Sequence, residues 1–376
     1  MGSISNKLAY LLATKEAIKQ AIVNKGVEVG DDVTFRQYAD KIFEIPSGGN
    51  SWTGHADAEG LRAIGWTEED IAYYQQNGVN WNESDDAYHK VTDDNKALYG
   101  VLTVDNIQTY KDRIVYLPKI DTSSMTSMQG LFEGCDSLVA IPLLNTTKVT
   151  NMSRTFYNCK SLVSIAPLDT QNVTTMAFMF TGCYSLVTIP LLNTTKVTSM
   201  ESTFYYCHSL VTIPPLDTQN LLGLYQTFFG CYSLVSIPLL NTQKVTTMYC
   251  LFYNCYSLRN VPPLNTQNVT NMYGMFFGCN SLVSIPQSDM QKVASVYATF
   301  YSCKSLITAN LKNVKLALAL NDVPKLSKES LLYIINNEAA TSAITIQLAP
   351  YAYQRLANDA DVLAALANHP NISISQ

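Results

Sequence analysis

Apolar residues return along the middle of the chain at one fixed interval of 24 positions. One column is Leu138, Leu162, Leu186, Leu210, Leu234, Leu258, Leu282 and Leu306. A second is Phe132, Phe156, Phe180, Phe204, Phe228, Phe252, Phe276 and Phe300, and a third runs Met128, Met152, Met176, Met200, Leu224, Met248, Met272 and Val296. Cysteine keeps step with them at Cys135, Cys159, Cys183, Cys207, Cys231, Cys255, Cys279 and Cys303. A period of that length predicts a solenoid, because one such unit cannot bury its apolar face alone and must stack on the next.

Within a unit, Met, Phe and Cys stand at i, i+4 and i+7, the spacing that lines one face of a short helix. Thr150, Thr174, Thr198, Thr246 and Thr270 precede that segment by two residues, where a hydroxyl can cap the first amides. The stretch Ser-Leu-Val-x-Ile-Pro then predicts a buried strand. Ile141, Ile165, Ile189, Ile213, Ile237, Val261 and Ile285 point inward, and Ala140, Ser164, Thr188, Thr212, Ser236, Asn260, Ser284 and Thr308 outward. Proline at Pro142, Pro190, Pro214, Pro238, Pro262 and Pro286 ends the pairing. Asn or Asp at Asn145, Asp169, Asn193, Asp217, Asn241, Asn265 and Asp289 makes the turn. One coil is expected to be strand, turn, short helix, turn.

The run "FYNCKSLVSIAPLDTQNVTTM" and the turn "N-T-x-K-V-T-x-M" resemble the BspA-like leucine-rich repeats of bacterial surface proteins over about residues 114 to 313. The resemblance implies an α/β solenoid, a right-handed leucine-rich-repeat stack with a parallel sheet. It also implies a surface or adhesion role for which few ligands are defined.

The flanks read differently. Residues 1–46 pattern as a helical hairpin, with Leu8, Leu11, Leu12, Ile18 and Ile22 on one stripe, and 47–53 as a linker. The hairpin resembles N-terminal modules of some phage tail and tail-fibre-like proteins. Residues 54–112 read as a helical cap on the first coil, with a helix start at Thr67, Glu68, Glu69 and Asp70. The solenoid itself spans 113–313. In 314–376 an α/β cap is expected: a helix after Ser327, a strand "AITIQLAP", a second helix "AYQRLANDADVLAALAN" and a last strand "ISIS".

Net charge is −5, yet residues 114–313 hold ten Lys plus Arg against seven Asp plus Glu. No basic stripe is evident to neutralise phosphates, so nucleic acid is not an expected partner. No stretch reaches the ~20 apolar residues of a membrane span. The start "MGSISNKLAYLLATKEAIKQ" has a short apolar run and no obvious cleavage site, so it does not read as a secretion leader. The periodic cysteines read as a ladder of buried thiols, and Cys250, outside the column, as the one candidate for an exposed or reactive thiol.

Catalysis needs convergent groups. His55, His89, His208 and His369 are scattered without metal-ligand spacing, and the paired acids Asp31-Asp32, Asp85-Asp86 and Asp93-Asp94 sit in polar loops. Neither a phosphate-binding glycine loop nor a nucleophile elbow is present. The expectation is no enzyme, no cofactor and no metal.

One feature stands out from the repeat. Tyr225, Tyr249, Tyr273 and Tyr297 follow the Met column by one residue. Phe229, Tyr253, Phe277 and Tyr301 follow the Phe column by one. As i and i+4 of one short helix they would form an aromatic grid beside the buried face. A related column is Tyr184, His208, Tyr232 and Tyr256. The rings either tile one another or offer a contact face for a protein or carbohydrate ligand. The expected function is a non-enzymatic adhesion or recognition protein at a cell surface or outside the cell. The alternative is a phage-derived, tail-associated structural or receptor-binding protein of the virion.

Overall fold

The computed structural model describes residues 103–114, 120–141 and 144–376. The expected hairpin over 1–46, the linker over 47–53 and most of the segment over 54–112 lie outside the described residues. Within what remains of that segment, α1 (Ile107–Tyr110) sets Ile107 fully into the core.

The coils stack in register, with parallel bridges Ser127↔Asn151, Asn151↔Thr175 and Thr175↔Ser199, each pair 24 residues apart. The segment from Met to Cys is not a helix. Its alternate amides leave the coil: Met152 N donates to Thr175 O (3.1 Å), Arg154 N to Ala177 O (3.0 Å), Phe156 N to Met179 O (2.9 Å) and Asn158 N to Thr181 O (2.7 Å). The amides between them close tight turns, Thr155 N on Met152 O and Cys159 N on Phe156 O. Arg154 and Asn158 carry φ of 56° and 58°. A positive φ every fourth residue cannot continue a right-handed helix, but it is what successive four-residue turns require. The i, i+4 spacing that suggests a helix therefore comes from two linked turns, each returning an apolar side chain to the interior. The threonines ahead of this segment are not caps either. Thr150 Oγ1 and Thr174 Oγ1 donate to Thr126 O and Thr150 O of the coil before.

The parallel sheet is also less continuous than expected. Among the described coils, strands pair as β1 (Ala140–Ile141) with β2 (Ser164–Ile165) and β3 (Ser284–Asp289) with β4 (Thr308–Lys312), with an isolated bridge Asn260↔Ser284. Between them each coil keeps two bonds on this side, such as Ser185 N to Lys160 O (3.2 Å) and Val187 N to Val163 O (3.3 Å). The reason is the proline. In the second coil the position after Ile is Ala166, whose amide donates to Ile141 O and completes a pair. Pro190, Pro214, Pro238 and Pro262 have no such amide.

Inside, the phenylalanines form a continuous stack from Phe132 to Phe300, with ring centroids 5.5 to 6.1 Å apart. They belong to one apolar cluster that also holds the Met, Leu, Ile and Cys columns. Threonines form a polar ladder at its margin: Thr194 Oγ1 donates to Asp217 O and accepts from Asp217 N, and Thr218 treats Asn241 the same way. These buried hydroxyls tie neighbouring turns together without leaving an unpaired group.

Both open ends of the stack are closed by side chains. Gln108 Nε2 donates to Gly130 O and Leu131 O of the first coil, and Asp322 accepts from Ser302 N in the last. Beyond it, β5 (Leu318–Leu320), β6 (Ile344–Leu348) and β7 (Ile372–Ser375) form a parallel sheet in that order. Ser327 caps α2 (Lys328–Asn336) through its side chain. The single helix expected next is two, α3 (Pro350–Leu356) and α4 (Ala360–Asn368). Asp359 breaks it by taking the amides of Asp361 and Val362 as the cap of α4.

Candidate recognition surface

The aromatic positions are brought together, in three ladders that run along the stack. Tyr225, Tyr249, Tyr273 and Tyr297 have successive centroids 4.8, 5.1 and 5.5 Å apart. Tyr205, Phe229, Tyr253, Phe277 and Tyr301 follow at 4.7, 4.5, 4.2 and 4.8 Å. Tyr184, His208, Tyr232 and Tyr256 make the third, at 4.6, 4.3 and 5.0 Å. Because the rings stack face to face between coils, an interior ring has both faces covered and offers its edge and hydroxyl. The rings of the grid thus tile one another between coils, carried by turns rather than by a short helix. At the C-terminal end the ladders stop: Tyr297 is 72% exposed and Tyr301 47%.

Burial and neighbouring hydroxyls set the chemistry of these rings. Burial, with Tyr206 beside it, pushes Tyr205 up to about 12, and burial raises Tyr232, Tyr249 and Tyr253 as well. These four phenols therefore stay protonated near neutral pH and act as hydrogen-bonding groups. His208 lies between two tyrosines with a buried Nε2 that has no partner, and burial lowers its pKa, so it stays neutral in the stack.

All nine cysteines are free and buried. In the ladder each thiol from Cys159 onward donates to the carbonyl of the Phe one coil back: Cys159 Sγ to Phe132 O and Cys183 Sγ to Phe156 O at 3.1 Å, and so on to Cys303 on Phe276. Cys250 corrects the expectation of an exposed thiol. It is 3% exposed, packs against the φ-positive Gly274 of the next coil, and burial pushes it up to about 11. Burial likewise raises Cys135 and Cys303 to about 12, and the other six ladder thiols too.

Two outcomes follow. Native protein at pH 8 should leave a thiol reagent unconsumed while denatured protein consumes nine equivalents; bridged thiols would lower the second figure. Folded thiols whose pKa lies above the unfolded value contribute stability that is complete below about pH 8.5 and lost as pH rises toward the folded values. Melting temperature should therefore fall steadily above about pH 9. A flat profile to pH 11 would show that the thiols are already solvated.

A further column escapes a reading based on net charge. Lys148, Asn172, Lys196, Asn220, Lys244, Asn268 and Lys292 occupy one position of successive coils. Lys196 Nζ donates to Asn172 Oδ1 (2.8 Å), Lys244 to Asn220 (3.0 Å) and Lys292 to Asn268 (2.7 Å). Each Asn amide in turn donates to a carbonyl of the preceding coil: Thr147, Thr195 or Gln243. The expectation of no basic stripe is corrected to that extent. Strict Lys/Asn alternation along the column is the signal that finds it.

Among the described residues no cluster of three or more His, Cys, Asp or Glu is positioned for a metal, and no helix is long and apolar enough to cross a membrane.

No curated protein matches the chain in sequence. Among solved structures it is similar to an internalin (inlF) from Listeria monocytogenes, at 11% identity and a TM-score of 0.28 over 69% of this chain and 77% of that one. It is also similar to the TLR13–ssRNA13 complex, at 15% identity and a TM-score of 0.22 over 74% of this chain and 45% of that one. Residues 105–215 and 222–323 match one family, and the chain belongs to it: the family described as "Mycoplasma protein of unknown function, DUF285".

Proposed function

We propose that this is a non-enzymatic recognition protein of the leucine-rich-repeat kind, displayed at a cell surface for adhesion, which binds a protein or glycan partner through the outside of its solenoid. The observation that carries the reading is the set of aromatic ladders on the exterior of a stack whose interior is filled by its own Phe, Leu, Met and Cys columns. A filled stack gives binding groups only on its outside, and rows of Tyr and Phe edges with hydroxyls are the side chains that dominate protein and sugar recognition. Residues 1–46, whose pattern predicts a helical hairpin, serve to attach or assemble the molecule.

An array of glycans and surface proteins tests this. Wild type should bind a defined subset. Tyr249→Ala plus Tyr273→Ala should weaken a partner that rides along the ladder, and Tyr297→Ala one that stacks on its open end. Equal binding by all three proteins would remove the ladders from consideration.

A further inference from the structure

The Lys column repeats every two coils. With adjacent coils about 4.8 Å apart, its cations stand about 10 Å apart over roughly 30 Å of surface. Lys148, Lys196, Lys244 and Lys292 are all exposed, and none is in an ion pair among the described residues. Three of the four are held by a neutral Asn oxygen, which fixes the ammonium in place and leaves its charge uncompensated. Alternation with Asn also keeps two cations from facing each other at one coil's distance, where they would repel.

The position one residue earlier is exposed in every one of these coils and always neutral: Thr147, Gln171, Thr195, Gln219, Gln243, Gln267 and Gln291. Acids of the same turns are half-buried or buried and are held by groups other than the column lysines. Asp169 accepts from Gln171 N and Asp217 from Gln219 N, while Asp289 pairs with Lys312 and Asn313.

We propose that this edge binds a linear acidic polysaccharide that carries a carboxylate or sulfate on every second sugar. One pyranose spans about one coil, so its acids meet the Lys positions while the intervening neutral sugars meet the Gln and Thr row. A nucleic acid fits poorly, because duplex phosphates follow at one charge per about 1.7 Å of axis. The proposal rests on the recognition reading above and names its ligand.

The test uses the full chain and three immobilised polymers: hyaluronan, with an acid on alternate sugars; polygalacturonate, with one on each; and neutral dextran. Hyaluronan should bind best, more weakly as salt rises, and dextran not at all. Lys196→Gln plus Lys244→Gln should weaken hyaluronan roughly fivefold. Lys160→Gln, whose ammonium is paired with Asp136 in another column, should not. The pair Asn220→Lys plus Lys244→Asn keeps the charge count but moves one cation by one coil, and should lose as much. Thermal melts confirm that each variant is folded.

No binding to hyaluronan, equal binding to polygalacturonate, an equal loss from Lys160→Gln, full retention by the shifted pair, or equal competition by single-stranded DNA would each overturn the proposal. If hyaluronan fails while an array partner is weakened by the tyrosine variants, the Lys edge falls and recognition stands. If neither binds, both fall.

Discussion

Phe204→Ala should lower the unfolding free energy by about 3–5 kcal/mol, the largest single effect expected in this chain. The ring is fully buried and lies between Phe180 at 5.7 Å and Phe228 at 5.5 Å, so its removal leaves a cavity lined by two rings that cannot close on each other. Backbone bonds hold the coils on either side of that gap: Phe204 N donates to Thr227 O and Phe180 N to Thr203 O. Collapse would strain this ladder, so the void should persist and its full cost be felt. Because a solenoid is stabilised through nearest-neighbour interfaces, the lesion should also split one unfolding transition into two. Tyr205→Ala, one residue away in a half-exposed ladder, serves as the comparison and should cost about 1 kcal/mol. Denaturant unfolding measures both. A loss below about 1 kcal/mol for Phe204→Ala would mean the Phe stack is not the core.

The spacing of Phe, Leu and Cys made the stacking, the register and the buried identity of these columns legible, because a 24-residue period over eight units leaves no other arrangement that buries them. Local conformation was less legible. Met, Phe and Cys at i, i+4 and i+7 fit a helix and fit two linked turns equally well. What decides is where alternate amides go, and that is a contact between coils about which one coil's sequence is silent. Cys250 was misread for a similar reason: its position off the cysteine column suggested exposure, while its actual cover is Gly274 in the next coil. The aromatic residues were placed in the right columns, but the columns alone left open whether the rings tile one another or stand free. The rest was hidden by the choice of period. Aligning on 24 residues averages Lys with Asn, and so conceals a unit of two coils that carries the surface pattern.

A second alternation with the same two-coil period has a steric origin, which predicts the second large effect. Six residues after the Met column, Gly134, Asn158, Gly182, Tyr206, Gly230, Asn254, Gly278 and Ser302 all take positive φ, between 58° and 74°. Glycine alternates with larger residues because the larger side chain lies across the next coil's glycine. A Cβ built on Gly182 would stand 2.2 Å from Asn158 Oδ1, one on Gly230 2.3 Å from Tyr206 Cδ1, and one on Gly278 2.3 Å from Asn254 Oδ1. Gly230→Asn should therefore cost about 1–3 kcal/mol, although Asn is the residue at the same position two other coils use and tolerates this φ. Gly134→Asn is the control. It has the same φ of 74° as Gly182, but among the described residues its nearest neighbour is Lys111 Nζ at 3.6 Å. It should be nearly neutral. Tyr206→Gly removes the obstructing ring, so in a double-mutant cycle with Gly230→Asn the two losses should be less than additive by about 1 kcal/mol or more. Additive losses, or an equal cost at Gly134 and Gly230, would place the alternation in backbone preference rather than in the contact between neighbouring coils.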